Sequence, residues 1–203
     1  SMIEGVSGIL IAGGKSRRMG QDKRFMKVSG ESVFERTVSV LRSIFAENIV
    51  VLAEPIERLA VQDCSVVCDA IPNAGSLGGI YTGLMAATRP RVFVVACDMP
   101  FLDTEIIRFM ASYDDTADIV VAKLSGKFHP THALYSKRCI PFLRVMAERQ
   151  QLKIQQLFQQ EELRIAILGE NEFLPFASRV RSFRNINTPD DLASVESQPS
   201  IER

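Results

Sequence analysis

Four groups of residues in this 203-residue chain have the types and spacing to do chemistry. The first lies between Gly8 and Lys23, where the apolar run Ile9-Leu10-Ile11-Ala12 breaks into Gly13-Gly14 and then into Lys15, Arg17, Arg18 and Lys23. Paired glycines permit positive φ and close approach of backbone amides to an anion, and the four cations carry the charge a polyphosphate needs, arginine forking bidentately onto its oxygens. The second is Asp69 with the proline- and glycine-rich residues 70–80, a loop suited to clasping a base and ribose. The third is Asp98, delivered with Met99 and Pro100 by Val92-Phe93-Val94-Val95-Ala96-Cys97. Magnesium is usually held by one or two carboxylates plus substrate phosphates, so one aspartate facing a cationic loop suits a metal-nucleotide site. The fourth is Asn185 and Asn187, whose short amides can reach a metal or a phosphate. They precede Thr188-Pro189-Asp190-Asp191, which reads by itself as a helix start.

The surrounding pattern predicts the elements that hold these groups. Val6, Ile9, Leu10 and Ile11 read as a strand of the kind buried on both faces of a parallel sheet. Residues 24–28 suit a short extended piece. Ser32 can cap a helix whose Phe34, Val38, Leu41 and Phe45 share one face. Strands follow at 49–52, 66–68, 92–97 and 119–122, with a short helical piece from Pro55, a helix through Tyr81, Leu84, Met85 and Ala87, and another through Ile106, Ile107, Phe109 and Met110. Residues 137–160 read as helical, 164–168 and 180–183 as late strands, and 169–175 as a loop. This alternation predicts an α/β, Rossmann-like, doubly wound and mostly parallel sheet with helices on both faces. Ligands in such sheets bind beyond the carboxyl ends of the strands, where the glycine loop, Asp69 and Asp98 all fall. A structural role for Asp98 as cap of the next helix stays open, although Asp103 or Thr104 can start that helix as well.

Composition excludes several classes. Lys plus Arg equals Asp plus Glu at 24 each, so nothing argues for general attraction to nucleic acid or an anionic membrane. The four cysteines, at 64, 68, 97 and 139, form no Cys-x-x-Cys pair and suggest reduced thiols in a cytoplasmic protein, with Cys64 and Cys68 as small hydrophobes around a strand. There is no stretch of 18 apolar residues and no secretion signal at the start. Gly14-Lys15-Ser16 imitates the end of a Walker A loop, but that motif needs glycine where Ile9 stands, and Gly-x-Gly-x-x-Gly is absent. Both histidines, His129 and His132, sit in 127–135; Pro130 lies between them and no third ligand is near, so neither reads as a metal ligand or an assigned base.

From Leu10 the chain reads Leu-x-Ala-Gly-Gly-x-Ser-x-Arg-Met-Gly-x-Asp-Lys, which resembles the signature of MobA-like nucleotidyltransferases, the molybdenum cofactor guanylyltransferases. Three further stretches resemble that family in the same order: Gly75 to Ile80 with Ser76 in place of a proline, Asp98-Met99-Pro100, and Asn185-x-Asn-Thr-Pro-x-Asp-Leu192. His129-Pro-x-x-Ala-Leu-Tyr135 is similar to a family strand on the acceptor side of the cleft. The resemblance covers nearly the whole chain and implies a single domain of the nucleotide-diphospho-sugar transferase type over 1–203. Its N-terminal half would bind GTP and Mg²⁺, its C-terminal half molybdopterin, and 196–203 would be a frayed tail. It implies transfer of GMP from GTP to the molybdenum-molybdopterin cofactor, with release of pyrophosphate. Lys23, Arg17 and Asp98 would be catalytic, and Asp98 the metal ligand. Leu10, Ala12, Gly13, Gly14, Lys23, Asp69, Gly75, Leu77, Gly78 and Asp98 would bind GTP, with Asp69 accepting from guanine or contacting the ribose. His129, Asn185 and Asn187 would stand on the molybdopterin side. Molybdoenzymes or their chaperones are the implied protein partners. Rival readings are a CTP-dependent counterpart, which resembles Leu-Ala-Ala-Gly where Gly13 stands here, a sugar-phosphate nucleotidyltransferase, and a non-catalytic adaptor that delivers cofactor.

Overall fold

In the computed structural model, residues 1–12, 27–28, 31–54, 61, 63–99 and 102–176 are described. In chain order they form β1 (Val6–Ile11), a small antiparallel pair β2 (Lys27–Val28) and β3 (Glu31–Ser32), α1 (Val33–Ile44), β4 (Asn48–Leu52), β5 (Ser65–Cys68), α2 (Gly75–Ala86) and β6 (Arg91–Ala96). There follow α3 (Thr104–Ala111), β7 (Ile119–Leu124), β8 (Lys127–Phe128), β9 (His132–Ser136), α4 (Ile140–Glu148) and β10 (Ile165–Leu168), with 3-10 turns at Lys137–Cys139 and Ile154–Gln159. None of the described helices is long and apolar enough to cross a membrane.

The main sheet runs β10-β7-β9-β6-β1-β4-β5, with β8 paired to β7. β1 pairs in parallel with β4 on one side and β6 on the other, and β4 pairs in parallel with β5. From β1 the chain builds outward through β4 and β5, then crosses back to place β6 on the other flank of β1. That reversal is the switch point of a doubly wound sheet, and it opens a crevice at the carboxyl ends of β1 and β6. The strand inserted between β6 and β7, β9, is antiparallel to both. The sheet is therefore mostly parallel, with two reversed strands, β8 and β9, of which β9 starts from residues 129–131 at the same edge as the carboxyl ends of its neighbours.

Two apolar layers sandwich the sheet. One gathers Leu10, Val50, Phe93, Val95 and Leu134 with Phe34, Leu41 and Ile44 of α1 and Ile106, Ile107 and Met110 of α3. The other gathers Ile9, Ile49, Val51, Val94 and Tyr135 with Leu77, Ile80 and Leu84 of α2 and Leu143 and Met146 of α4. Alternate residues of each central strand feed opposite layers, as the period of two requires. The helix starts follow local chemistry. The Ser32 hydroxyl accepts from the Glu35 N–H at 3.0 Å while the Glu35 carboxylate accepts from the Ser32 N–H at 3.4 Å, a complete capping box. Asp103 accepts from the N–H groups of Glu105 and Ile106 at 2.9 and 3.2 Å, so Asp103 caps α3 and leaves Asp98 outside that role.

The predicted single helical run over 137–160 is broken. Gln150 adopts φ +57°, the Gln151 N–H reaches back to the Met146 carbonyl at 2.9 Å and the Gln150 N–H to Ala147 at 3.1 Å. This six-to-one closure ends α4 with a glutamine in the left-handed conformation usually filled by glycine, and the apolar spacing runs straight across it. The segments 55–60 and 180–183 and the helix start at 188 lie outside the described residues.

α2 approaches the sheet closely because Gly79 and Gly83 fall one turn apart on the face that meets β1. A Cβ on Gly83 would stand 2.8 Å from Ile9 Cγ2, and one on Gly79 would stand 2.9 Å from Ile11 Cδ1. Ile9 is fully buried and β-branched, so it has little room to yield. Gly83→Ala is expected to destabilise the protein by about 1–3 kcal/mol in urea unfolding, the overpacking outweighing the roughly 1 kcal/mol gained in helix propensity.

Candidate active site

Four backbone hydrogen bonds assemble the edge. Ala12 N–H donates to the Val51 carbonyl at 2.9 Å, Cys97 N–H to Ile11 at 3.0 Å, Asp69 N–H to Leu52 at 2.7 Å, and Ala96 N–H to Thr131 at 3.1 Å. The ends of β1, β4, β5 and β6 and the turn before β9 are thereby tied into one rim. Asp98, one residue beyond the Cys97 contact, is half-buried with its Oδ1 enclosed, between the buried Cys97 and Met99. Asp69 is half-buried at the end of β5.

The loop from Asp69 turns through Asn73 at φ +57° and Gly75 at φ +57° into α2. Unlike α1 and α3, α2 has no side-chain hydrogen bond at its cap, Ala74, and no acidic residue in its first turn. Its first-turn N–H groups and the positive end of its dipole lie at the rim, since Gly79 packs on Ile11, the last residue of β1, and Gly83 on Ile9 further down. The helix axis thus runs back along β1, away from the point where the chain enters the glycine loop. A second face of α2 looks at Asp69. A Cβ on Gly78 would lie 3.7 Å from Asp69 Oδ1 and 3.1 Å from the Ile71 carbonyl, and Thr82, four residues on, donates its hydroxyl to Asp69 Oδ1 at 3.3 Å. The Ala70 N–H donates to the same Thr82 oxygen at 2.9 Å. Burial pushes the Asp69 carboxyl above the ordinary aspartate range, and the Thr82 hydroxyl draws it part of the way back.

On the far side, His129 is half-buried, with its N–H on the Ala122 carbonyl at 3.0 Å. Burial, and then the neighbouring Lys127, favour its neutral imidazole. Its turn is fixed by Tyr135, fully buried, whose hydroxyl donates to the Pro130 carbonyl at 2.5 Å. His132 points the other way: it is fully buried, edge-on to Phe93 with ring centroids 5.3 Å apart, and burial depresses it to about 3. The two histidines therefore have separate settings, one at the rim and one in the core.

Of the residues selected from sequence, Ala12, Asp69, Gly75, Gly78, Asp98 and His129 fall on or beside this rim. Leu10 and Leu77 are placed in opposite layers of the core, each at most 1% exposed, and their side chains do not reach it. Gly13, Gly14, Arg17, Lys23, Asn185 and Asn187 lie outside the described residues. Among the cysteines, all four are free thiols; Cys97 and Cys139 are buried as small hydrophobes are, but Cys68 is exposed because β5 is the outer strand of the sheet. Thr82 and Tyr135 were not selected. The i, i+4 step from Gly78 to Thr82 was the available sign for the first.

A doubly wound sheet with two aspartates and an uncapped helix start at its switch-point edge defines the nucleotide-binding α/β class. The comparison with known families narrows it: residues 8–165 match the MobA-like NTP transferase domain, and the chain belongs to that family. A protein of Pelotomaculum thermopropionicum named as a probable molybdenum cofactor guanylyltransferase is 33% identical over 190 residues, covering 93% of this chain and 91% of that one. The molybdenum cofactor guanylyltransferase of Desulfosudis oleivorans is 30% identical, with 96% of both chains covered. Among solved structures, molybdopterin-guanine dinucleotide biosynthesis protein A from Archaeoglobus fulgidus has the same fold, with a TM-score of 0.79 at 23% identity over 94% of this chain and 96% of that one. The fold also extends to 2-C-methyl-D-erythritol 4-phosphate cytidylyltransferase from Thermus thermophilus, at a TM-score of 0.68 and 18% identity over 93% and 96% of the two chains.

Two pH effects follow. His132 is depressed in the folded state relative to about 6.5 when unfolded, so its stabilising contribution is complete above that value and is lost as pH falls toward 3. In urea unfolding, His132→Leu is expected to remove up to about 1.4 kcal/mol per pH unit of the acid sensitivity between pH 6 and 4. Asp69 is raised instead, so its contribution is present below the unfolded value and is lost as pH rises through the folded one. Asp69→Asn is therefore expected to gain stability relative to the parent on going from pH 3 to pH 7, read from melting curves at both.

Proposed function

We propose that the chain transfers GMP from GTP to the terminal phosphate of the molybdenum-molybdopterin cofactor, forming the guanine dinucleotide cofactor and pyrophosphate. The observation that carries the reading is the position of Asp98 beyond β6, across the switch point from the end of β1, within a family of NTP transferases. The names of the Pelotomaculum and Desulfosudis relatives support the guanylyl specificity. So does Gly13, where the cytidylyl counterpart resembles alanine.

In this reaction an oxygen of the acceptor phosphate forms a bond to the α-phosphorus of GTP, and the bond from that phosphorus to the bridging oxygen breaks as pyrophosphate leaves. The acceptor is already an anion and needs no base. The protein's work is positioning and neutralisation of charge. Amides of Gly13 and Gly14 with Arg17 hold the β- and γ-phosphates, and Lys23 stabilises charge at the α-phosphate. The uncapped start of α2 lies at the same rim as the end of β1. Asp69 takes the base or ribose, with Gly75 and Gly78 giving the loop its turn and its closeness to the helix.

Among the described residues no three His, Cys, Asp or Glu side chains converge as a metal cage. One hard carboxylate at a rim built for phosphates does fit Mg²⁺ that takes its other ligands from nucleotide and water. Bound there through Asp98, Mg²⁺ would supply Lewis-acid polarisation of the α-phosphate. His129, Asn185 and Asn187 form the molybdopterin side. Residues 1–203 work as one domain in the reducing cytoplasm and pass the product to molybdoenzymes or their chaperones.

The test is Mg²⁺-dependent pyrophosphate release from GTP, CTP and ATP with molybdopterin cofactor supplied. GTP-selective, acceptor-dependent release is expected. CTP preference would make the protein the cytidylyl counterpart, and no release with any nucleotide would make it an adaptor. Lys23→Ala and Asp98→Ala are each expected to lower the rate by about 100-fold or more with unchanged circular dichroism and melting; near-normal release by either overturns the assignment.

A further inference from the structure

Thr82 lies in the second turn of α2, only 5% exposed, on a helix face that meets Asp69. A threonine inside a helix commonly folds its hydroxyl back on the carbonyl four residues earlier, as Thr37 does to Val33 at 2.7 Å in α1. Thr82 instead directs its hydroxyl out of the helix to Asp69 Oδ1 at 3.3 Å and accepts the Ala70 N–H at 2.9 Å. One hydroxyl therefore fixes both the carboxylate and the backbone that follows it. The Asp69 N–H is already held by the Leu52 carbonyl at 2.7 Å, so the residue is restrained on both sides of its Cα. Among the described residues, Asp69 Oδ1 is engaged inward and no bond is made to Oδ2.

We infer that Thr82 is a positioning residue for the nucleotide: through its bond to Oδ1 it sets the rotation of the Asp69 carboxylate and leaves Oδ2 directed to accept from the bound GTP. The inference rests on the reading of Asp69 as a nucleotide-side carboxylate. It adds that this carboxylate is oriented before the nucleotide arrives, so that no rotamer freedom is lost at that point in binding. Gly78, one turn before Thr82, keeps the same helix face low enough for the loop to lie on it, a Cβ there meeting the Ile71 carbonyl at 3.1 Å.

The experiment is calorimetric titration of GTP, with Mg²⁺ and without acceptor, into the parent protein, Thr82→Val, Thr82→Ser, Asp69→Ala and the Thr82→Val/Asp69→Ala double variant, each checked for parental circular dichroism and melting. Thr82→Val keeps the side-chain shape and removes the hydroxyl. It is expected to weaken GTP binding about tenfold, as loss of a hydrogen bond to a charged acceptor should. Thr82→Ser, which keeps the hydroxyl, recovers most of that loss and remains informative if the valine variant folds poorly. In the Asp69→Ala background, Thr82→Val changes affinity by less than about twofold, because its effect passes through the carboxylate. Parental affinity in Thr82→Val, failure of serine to restore binding, or additive losses in the double variant overturn the inference while leaving the proposed function standing. A parent protein that binds no GTP overturns the proposed function and the inference with it.

Discussion

The rest of the site depends on how closely α2 lies against β1. Two glycines one turn apart, Gly79 and Gly83, bring the helix backbone onto Ile11 and Ile9, and this contact sets the distance between the start of the helix and the end of the first strand. With larger residues on that stripe the helix would ride higher by a fraction of a methyl radius or more, carrying its first-turn N–H groups and Thr82 away from the rim. Hydrophobic burial holds the layers together at roughly 25 cal/mol per Å² of apolar surface, but it does not choose this distance; the missing methyl groups do.

The same helix shows how a stability cost and a site can occupy one element. Gly75, Gly78, Gly79 and Gly83 each lower intrinsic helix propensity, and the cap is left without a side-chain partner. Asp69 is half-buried and pushed toward its neutral form, a second cost carried at the same rim. Side-chain caps and acidic first turns are found instead on α1 and α3, on the opposite face of the sheet.

Much of this was legible beforehand. Strongly apolar, β-branched runs such as 92–97 can only be interior strands, and an aspartate directly behind one is placed by that fact alone, as Asp98 is; Asp69 follows the shorter apolar run 66–68, which forms the outer strand. The three glycines in its first turns make the sequence of α2 resemble a loop opening into a helix, whereas the helix begins at Gly75 and is buried on two faces, which erases a polar stripe. The end of α4 leaves no mark in the sequence because Gln150 takes a left-handed conformation usually filled by glycine. Leu10 and Leu77 were selected as members of motifs, yet their chemistry is that of the core. Thr82 escaped notice since a hydroxyl inside a helix carries no sign of where it points; its partner is thirteen residues away and comes near only when β5 and α2 are both in place. The reversed direction of β9 depends on how the chain returns after β7 and is carried by no single residue type.

That reversal has a consequence for how the two sides of the cleft can change. On the side of β1, β5 and β6 each rim residue is followed by a crossover helix, so altering a loop there shifts an element that the whole sheet rests on. From β7 onward the chain makes an antiparallel excursion through β8 and re-enters the sheet as β9, and the rim residues 129–131 are carried on the turn between them with no helix attached. This stretch behaves as an exchangeable cassette. Its outer bend at Ser125 and Gly126 can lengthen or change composition at the small, logarithmic entropic cost of a longer loop, while Tyr135 and the β6 pairing keep its base fixed. A fold built this way can hold the rim around Asp69 and Asp98 constant and let the wall at 129–131 diverge.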